Sequence, residues 1–388
     1  MLLSAMNTSV HVYSASPLLT EIEHVCVRGL AHMFGLGDDA DGITMPGGAA
    51  SNTLALQTAL SNAFDGAFRT LGVLGIVDHL GRAGRVGRGA RPAILTGSHG
   101  HFSLQSAAIA AGLGSEAVVE VPCDTHGRMD PKALEAQLAA MAHDAGHPQG
   151  YPFFVCATSG TTVLGAFDDL RAIAALCRRY GCWLHVDASW GGPVVFSERW
   201  RFLLDGSDAA DSLTINPHKL LCVPQQCSFF LVRHAHTLYA HSVKAGYLFH
   251  SNNRDQASKT LGCGRRGDAL KLYLAWVRYG RAGFGAHIDA GMELSRRVRA
   301  FLERETSFEV LSGAEPQFLQ VCFRPRGAES SEIRALYDAL QRERMYALDF
   351  APVDGETYFR LVVHPTVPFD TFVAMIRRVE ALSRSSFR

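Results

Sequence analysis

The chain has 388 residues, 47% of them hydrophobic and 19% charged, with 37 Lys plus Arg against 37 Asp plus Glu. This length and composition support a large core, one large domain with a smaller one, and no net charge with which to hold a nucleic acid or an anionic membrane. Nine cysteines without tight pairs fit free thiols, no apolar run reaches spanning length and no secretory leader is evident, so a cytoplasmic location is expected.

Pro17 is placed to open a helix, with Leu18, Leu19, Ile22 and Val25 at helical spacing. Gly35 to Asp41 reads as a solvated loop whose acids lack calcium-loop spacing. Gly42-Ile-Thr-Met-Pro-Gly47-Gly48-Ala-Ala50-Ser51-Asn52 follows, and then an apolar helical pattern through Leu56, Leu60 and Phe64. Glycines, a hydroxyl and small residues at a helix start form an anion site, because free N–H groups and the helix dipole point outward there. Alone, the same residues serve equally as an N-cap. Gly81 to Arg91 is basic and glycine-rich but has no interleaved aromatics, so it reads as an exposed connection. Ala93 begins a strand that turns through His99 and His101 into a helix around Ser106 to Ala111; no third ligand accompanies the two histidines, and no metal is expected.

Ala117 to Val121 reads as a strand, and Met129 to Ala142 as a helix opened by Asp130-Pro131. Phe153 to Thr158 is the next strand, followed by the loop Ser-Gly160-Thr-Thr162-Val-Leu-Gly-Ala-Phe-Asp168 and a helix over Leu170 to Tyr180. Cys182-Trp-Leu-His-Val-Asp187-Ala-Ser189-Trp-Gly-Gly192 reads as a buried strand ending in a carboxylate, then a glycine loop with room for a flat ligand. Ser212 to Ile215 is a short strand whose turn at Asn216-Pro217 sets His218 and Lys219 at a strand end; the apolar run Ser228 to Val232 follows. Strands alternating with helices indicate a mostly parallel sheet, whose strand ends carry reactive groups. An isolated Pro-His-Lys is equally a surface turn. A carboxylate, a lysine and a histidine at successive strand ends together suggest pyridoxal phosphate. The lysine supplies a nucleophilic amine to the aldehyde, and the carboxylate pairs with the protonated ring nitrogen.

Ala235 to Val243 has helical character, and Tyr247-Leu-Phe249 leads into a polar stretch, His250 to Thr260, that reads as a mobile loop. Leu261-Gly-Cys-Gly-Arg265-Arg266-Gly-Asp268 precedes a helix over Ala269 to Tyr279, and Ala286 to Glu305 reads as a long linking helix. The remainder alternates strand and helix over Phe308–Val310, Phe318–Phe323, Glu332–Arg342, Tyr358–Val363 and Phe369–Leu382. Arg360 falls on one of these strands, where a lone arginine is commonly a surface ion pair.

His-Val-Asp187-Ala-Ser-Trp-Gly-Gly, Asn-Pro-His-Lys219 and Gln-Gln-Cys227-Ser together resemble the pyridoxal-phosphate-dependent group II decarboxylases, closest to the glutamate and cysteine-sulfinate decarboxylases. The likeness runs from about Leu2 to the C-terminus. It implies an α/β, fold-type-I transferase fold: residues 1–24 an N-terminal segment, 25–285 a cofactor-binding large domain with a mostly parallel sheet, and 286–388 a smaller α+β domain. It implies that Lys219 holds pyridoxal phosphate, Asp187 keeps its ring nitrogen protonated and His101 stacks on the ring. Ala50 and Ser51 take the phosphate-loop positions. Thr162, Asp168, Ser189, Asn216 and His218 take cofactor-pocket positions, and Arg360 matches the arginine that receives the substrate α-carboxylate. The implied reaction is α-decarboxylation of an amino acid, a small acidic one such as glutamate, aspartate or cysteine sulfinate, by a homodimer. Two alternatives stand beside it: the same chemistry diverted to oxidative deamination or transamination, and a silent truncated homologue acting as a binding partner. Three departures from the family pattern motivate them. Ser189 replaces an alanine, the loop between Phe249 and Cys263 is short and lacks a tyrosine, and the chain starts well inside the family's length.

Overall fold

A computed structural model describes residues 2–241, 255–311 and 318–386. Seven strands form the larger sheet: β1 (Asp41–Met45), β2 (Pro92–Gly97), β3 (Val118–Val121), β4 (Tyr151–Thr158), β5 (Trp183–Ala188), β6 (Ser212–Ile215) and β7 (Ser228–Val232), in the order β1-β7-β6-β5-β4-β2-β3. Strands β3, β2, β4, β5 and β6 are parallel; β7 runs antiparallel to β6, and β1 antiparallel to β7. Helices cover both faces of such a sheet, so its strands are apolar throughout. Every residue of β2, β6 and β7 is buried.

The crossover helices have explicit start signals. Asp130 accepts the Lys132 N–H at 2.9 Å with Pro131 at the first helical position, opening Pro131–His143. Asp169 accepts the Ala172 N–H at 3.0 Å to open Leu170–Tyr180, which ends on left-handed Gly181. Gly42 to Met45 belongs to an edge strand rather than to the loop expected there. A Cβ at Gly42 would stand 2.5 Å from the Phe230 carbonyl, so glycine permits the close pairing of β1 with β7.

The smaller sheet contains β8 (Phe308–Val310), β9 (Gln320–Pro325), β10 (Asp349–Val353) and β11 (Glu356–Val362), all antiparallel, in the order β10-β11-β9-β8. Its apolar face packs with the helices Ser330–Glu343 and Phe369–Ser386 around Phe323, Phe359, Leu336 and Ile376. The long helix Ala269–Glu305 is two helical segments joined by a kink at Gly280, where φ is 65°, in keeping with the two helices expected over 269–305. The division expected at 285/286 falls inside that helix, and the one at 24/25 inside Pro17–Phe34. The readings made for Val243, Tyr247–Phe249 and His250 lie outside the described residues. Among the described residues no helix is long and apolar enough to cross a membrane.

Candidate active site

The carboxyl ends of β4, β5 and β6 converge on one cavity of about 260 Å³. Parallel strands leave their open crevice at these ends. Thr158 and Asp187 are register partners across β4 and β5, and Asn216 follows β6 directly. The opposite wall is the start of helix Gly48–Asn62, whose first N–H groups have no partner within the helix. Gly48 makes this approach possible: a Cβ there would stand 2.6 Å from Ser189 Oγ and 2.8 Å from Asn216 Nδ2.

Asp187 is only 7% exposed. Burial alone would raise its pKa, but hydrogen bonds from Ser189 and Asn52, with the Lys219 charge, hold it below the usual carboxylate value. The Ser189 N–H donates to Oδ1 at 3.0 Å, and Asn52 Nδ2 donates to Oδ2 at 2.7 Å. Asn52 is itself fixed: its Oδ1 lies 3.1 Å from His185 Nε2, and His185 Nδ1 lies 2.9 Å from Ser212 Oγ. Burial pushes the pKa of His185 down to about 4, so at neutral pH the ring is uncharged and orients rather than titrates.

Lys219 closes the far side of β6, in the single-turn helix Pro217–Leu220. Burial lowers its pKa; Asp187 opposes the shift and Arg360 adds to it. The His101 pKa is likewise lowered, first by burial, and its Nδ1 accepts the Ser103 N–H at 3.1 Å, which fixes the ring at the cavity wall. His218 Nδ1 lies 2.6 Å from the Cys227 carbonyl, tying the lysine turn to the start of β7. The Ser189 hydroxyl is buried without a hydrogen-bond partner, as is the Trp190 indole N–H. Both residues line the cavity.

His101, Thr162, Asp187, Ser189, Asn216, His218 and Lys219 are therefore brought together on one wall or another. Four residues expected there are not on the lining. Ala50 and Ser51 follow the helix start, and Ser51 Oγ turns to Ser228 Oγ at 2.8 Å. Asp168 faces inward, accepting the Met129 and Thr158 N–H groups, each at 2.7 Å. Arg360 stands behind the rim, donating through Nη1 to the Thr162 carbonyl at 2.8 Å. Asn52, His99, Trp190 and Gln225 line the cavity without having been given site roles. Asn52 had a signal, since it ends the glycine-rich run one turn into the helix. Gln225 had none.

Comparison with known proteins gives a consistent picture. Residues 1–326 match the pyridoxal-dependent decarboxylase conserved domain. The L-aspartate decarboxylase dtxS4 of Metarhizium robertsii is 39% identical over 397 residues, spanning 98% of this chain and 75% of that protein. Cysteine sulfinic acid decarboxylase of Homo sapiens is 38% identical over 330 residues, 82% of this chain and 62% of that protein. The crystal structure of mouse CSAD superposes with a TM-score of 0.88 at 33% identity, covering 98% of this chain and 80% of that one. Oryza sativa TDC, solved with PLP and tryptamine, superposes with a TM-score of 0.87 at 25% identity, covering 100% and 80%.

Proposed function

Since this chain belongs to the pyridoxal-dependent decarboxylase family, we propose that it removes the α-carboxylate of a small acidic amino acid at the cavity between Asp187 and Lys219. The chain is a pyridoxal-phosphate-dependent amino-acid decarboxylase of fold type I. The residues present fit that cofactor. The cavity offers a buried ionised carboxylate, a desolvated amine, a helix start for an anion, and the unpartnered Ser189 hydroxyl.

When bound, pyridoxal phosphate supplies the π system that accepts the electron pair left by departing carbon dioxide. Asp187 holds a proton at the ring nitrogen, because its charge is kept in an apolar interior by Asn52 and Ser189. Burial lowers the pKa of Lys219, which eases loss of the proton that its amine must shed to act as nucleophile. The free N–H groups at the start of helix Gly48–Asn62 would hold the phosphate, and the Ser51 side chain braces that helix start through Ser228. His101 and Thr162 both line the cavity, and Asp168 sets the loop that carries Thr162. Arg360 places a guanidinium behind Thr162, suited to a carboxylate. Lys219, His99, His101 and His218 are the titratable nitrogen groups on the lining that can return a proton to Cα.

The observation that carries the reading is the buried Asp187–Asn52–His185 chain at the cavity, which would keep a carboxylate ionised beside a bound pyridine nitrogen. Acidic substrates are favoured by the relatives named for aspartate and cysteine sulfinate. The missing tyrosine between His250 and Leu261 keeps an oxidative or transaminating side reaction as the second reading. A silent binding partner is disfavoured by the complete set of charged groups. We further propose a homodimer in the cytoplasm, with the division near 285/286 separating a cofactor-bearing domain from a smaller one. The nine free cysteines support a reducing compartment. Purified protein offered aspartate, glutamate, cysteine sulfinate and aromatic amino acids, with carbon dioxide, amine and aldehyde measured separately, tests the reading. Release of carbon dioxide and amine from an acidic substrate is expected; turnover confined to aromatic substrates would overturn the substrate class.

A further inference from the structure

Beyond the cavity, three side chains from three distant parts of the chain meet at a point. Cys222 lies just after the lysine turn, His287 lies on the helix Ala269–Glu305, and His364 follows β11. Cys222 Sγ is 3.6 Å from His287 Nε2 and 3.7 Å from His364 Nε2, and all three atoms lie within 4.8 Å of one another. A thiol and an imidazole at these separations can share a hydrogen bond, because sulfur reaches further than oxygen. They also match a second geometry. Zinc binds cysteine sulfur at about 2.3 Å and histidine nitrogen at about 2.0–2.1 Å, so two such ligands at a tetrahedral angle stand about 3.6 Å apart.

We propose that Cys222, His287 and His364 form a binding site for a borderline-soft divalent cation, zinc foremost, which joins the lysine-bearing segment to the smaller sheet. One sulfur and two imidazoles suit zinc, copper or cobalt rather than magnesium or calcium. Cys222 is exposed, which gives the ion a route in and leaves the fourth corner to water. His364 has outer support: its Nδ1 lies 2.7 Å from Thr366 Oγ1, which orients Nε2 toward the sulfur. Cys222 also holds a left-handed backbone, φ 55°, where glycine is the least strained residue. That backbone aims a sulfur at two histidines.

The proton balance is explicit. His287 Nε2 lies 3.0 Å from the Leu220 carbonyl, to which it donates while no ion is bound. On binding, its proton moves to Nδ1 by exchange with water, and the Leu220 carbonyl gives up that hydrogen bond. The Cys222 thiol loses its proton, so each ion releases one net proton. The described residues hold one other cluster of this kind, Asp39, His234 and His236; it is fully exposed and has no sulfur, and it serves as an internal control.

The holoenzyme, stripped of metal, reduced and free of amino acid, is titrated with Co²⁺ under argon. One equivalent should bring intense tetrahedral d–d bands in the red, clear of cofactor absorbance, and zinc should displace them. Proton release should be one per ion, and the melting temperature should rise with zinc concentration. Cys222→Ser and His364→Ala should each lose this equivalent, whereas His234→Ala should keep it. If Co²⁺ gives only octahedral spectra, or if Cys222→Ser and His364→Ala both titrate like wild type, the proposal fails. Should one variant fold poorly, judged by circular dichroism and bound cofactor, the other still decides.

Discussion

Replacing Asp187 by asparagine tests the core of the mechanism, and the structure sets the expected size. The carboxylate now accepts from the Ser189 N–H at 3.0 Å and from Asn52 Nδ2 at 2.7 Å. The introduced amide has one acceptor and one donor. Its NH₂ would face the NH₂ of Asn52 unless one of them turns. Asn52 resists turning, because its Nδ2 also donates to Ser103 Oγ at 2.9 Å and its Oδ1 meets His185 Nε2. One buried hydrogen bond is therefore lost, about 1–3 kcal/mol of stability. The larger effect is on rate. A neutral amide cannot hold a proton at the ring nitrogen, and a hydrogen bond to a charged group is worth roughly 1.5–3 kcal/mol, or about 10–150-fold in kcat. Carbon dioxide release at saturating substrate gives kcat, and cofactor absorbance after gel filtration shows whether the group is retained. A variant that keeps the cofactor and turns over within twofold of wild type would refute the assigned role.

Lys219→Ala should abolish turnover, and borohydride should no longer fix the cofactor to a peptide containing residue 219; reducible labelling at another lysine would show a wrong assignment. Asn52→Ala should lower kcat by about tenfold while retaining cofactor, since Asp187 loses a short hydrogen bond but keeps its charge; unchanged kinetics would mean that Ser189 alone orients the carboxylate. The Asp168 pKa is raised from 3.8 to about 6, chiefly by burial, against the Thr158 and Met129 N–H bonds. A raised folded-state value gives stability present below about pH 4 and lost as pH climbs through about 6, about 3 kcal/mol in all. Melting curves of wild type should fall over that window relative to Asp168→Asn, and parallel curves would contradict the shift. Sedimentation should find a dimer, and a fully active monomer at every concentration would rule the assembly out.

Much of the larger sheet could be read along the chain because its strands are apolar runs bounded by glycine and by caps. β6, β7 and the helix Leu170–Tyr180 begin and end where those signals stand. β1 was not legible: five residues with a glycine carry little pattern, and the pairing with β7 spans most of the domain. β10 was missed for a related reason, since it alternates weakly and contains Pro352. At the site, Lys219 and Asp187 declared themselves through their place at strand ends. Asn52 and His185 did not, because their role depends on a contact between the start of a helix and β5. Asp168 was placed in the pocket by resemblance alone, and no local pattern foretold that both of its oxygens would be occupied by main-chain N–H groups.

Arg360 shows how the smaller sheet takes part. β11 pairs with β9 so that Arg360 stands opposite Cys322 and Val362 opposite Gln320. Positions 360, 322 and 320 therefore share one face of that sheet. From it, Arg360 donates to the Thr162 carbonyl at 2.8 Å, Gln320 to the Thr161 carbonyl at 3.1 Å, and Cys322 to the Val163 carbonyl at 3.5 Å. Three consecutive carbonyls of the cavity-wall loop are thus held from outside, while Asp168 anchors the loop to the end of β4. A carboxylate that arrives at Arg360 meets a guanidinium already committed through Nη1, with Nη2 only 3.7 Å from Asp349. It can take Nη2 without disturbing the loop, or draw the whole guanidinium and release Thr162. In the second case substrate binding loosens one of the three ties to the loop. The residue proposed to recognise the substrate is then also one that sets the position of the wall around it.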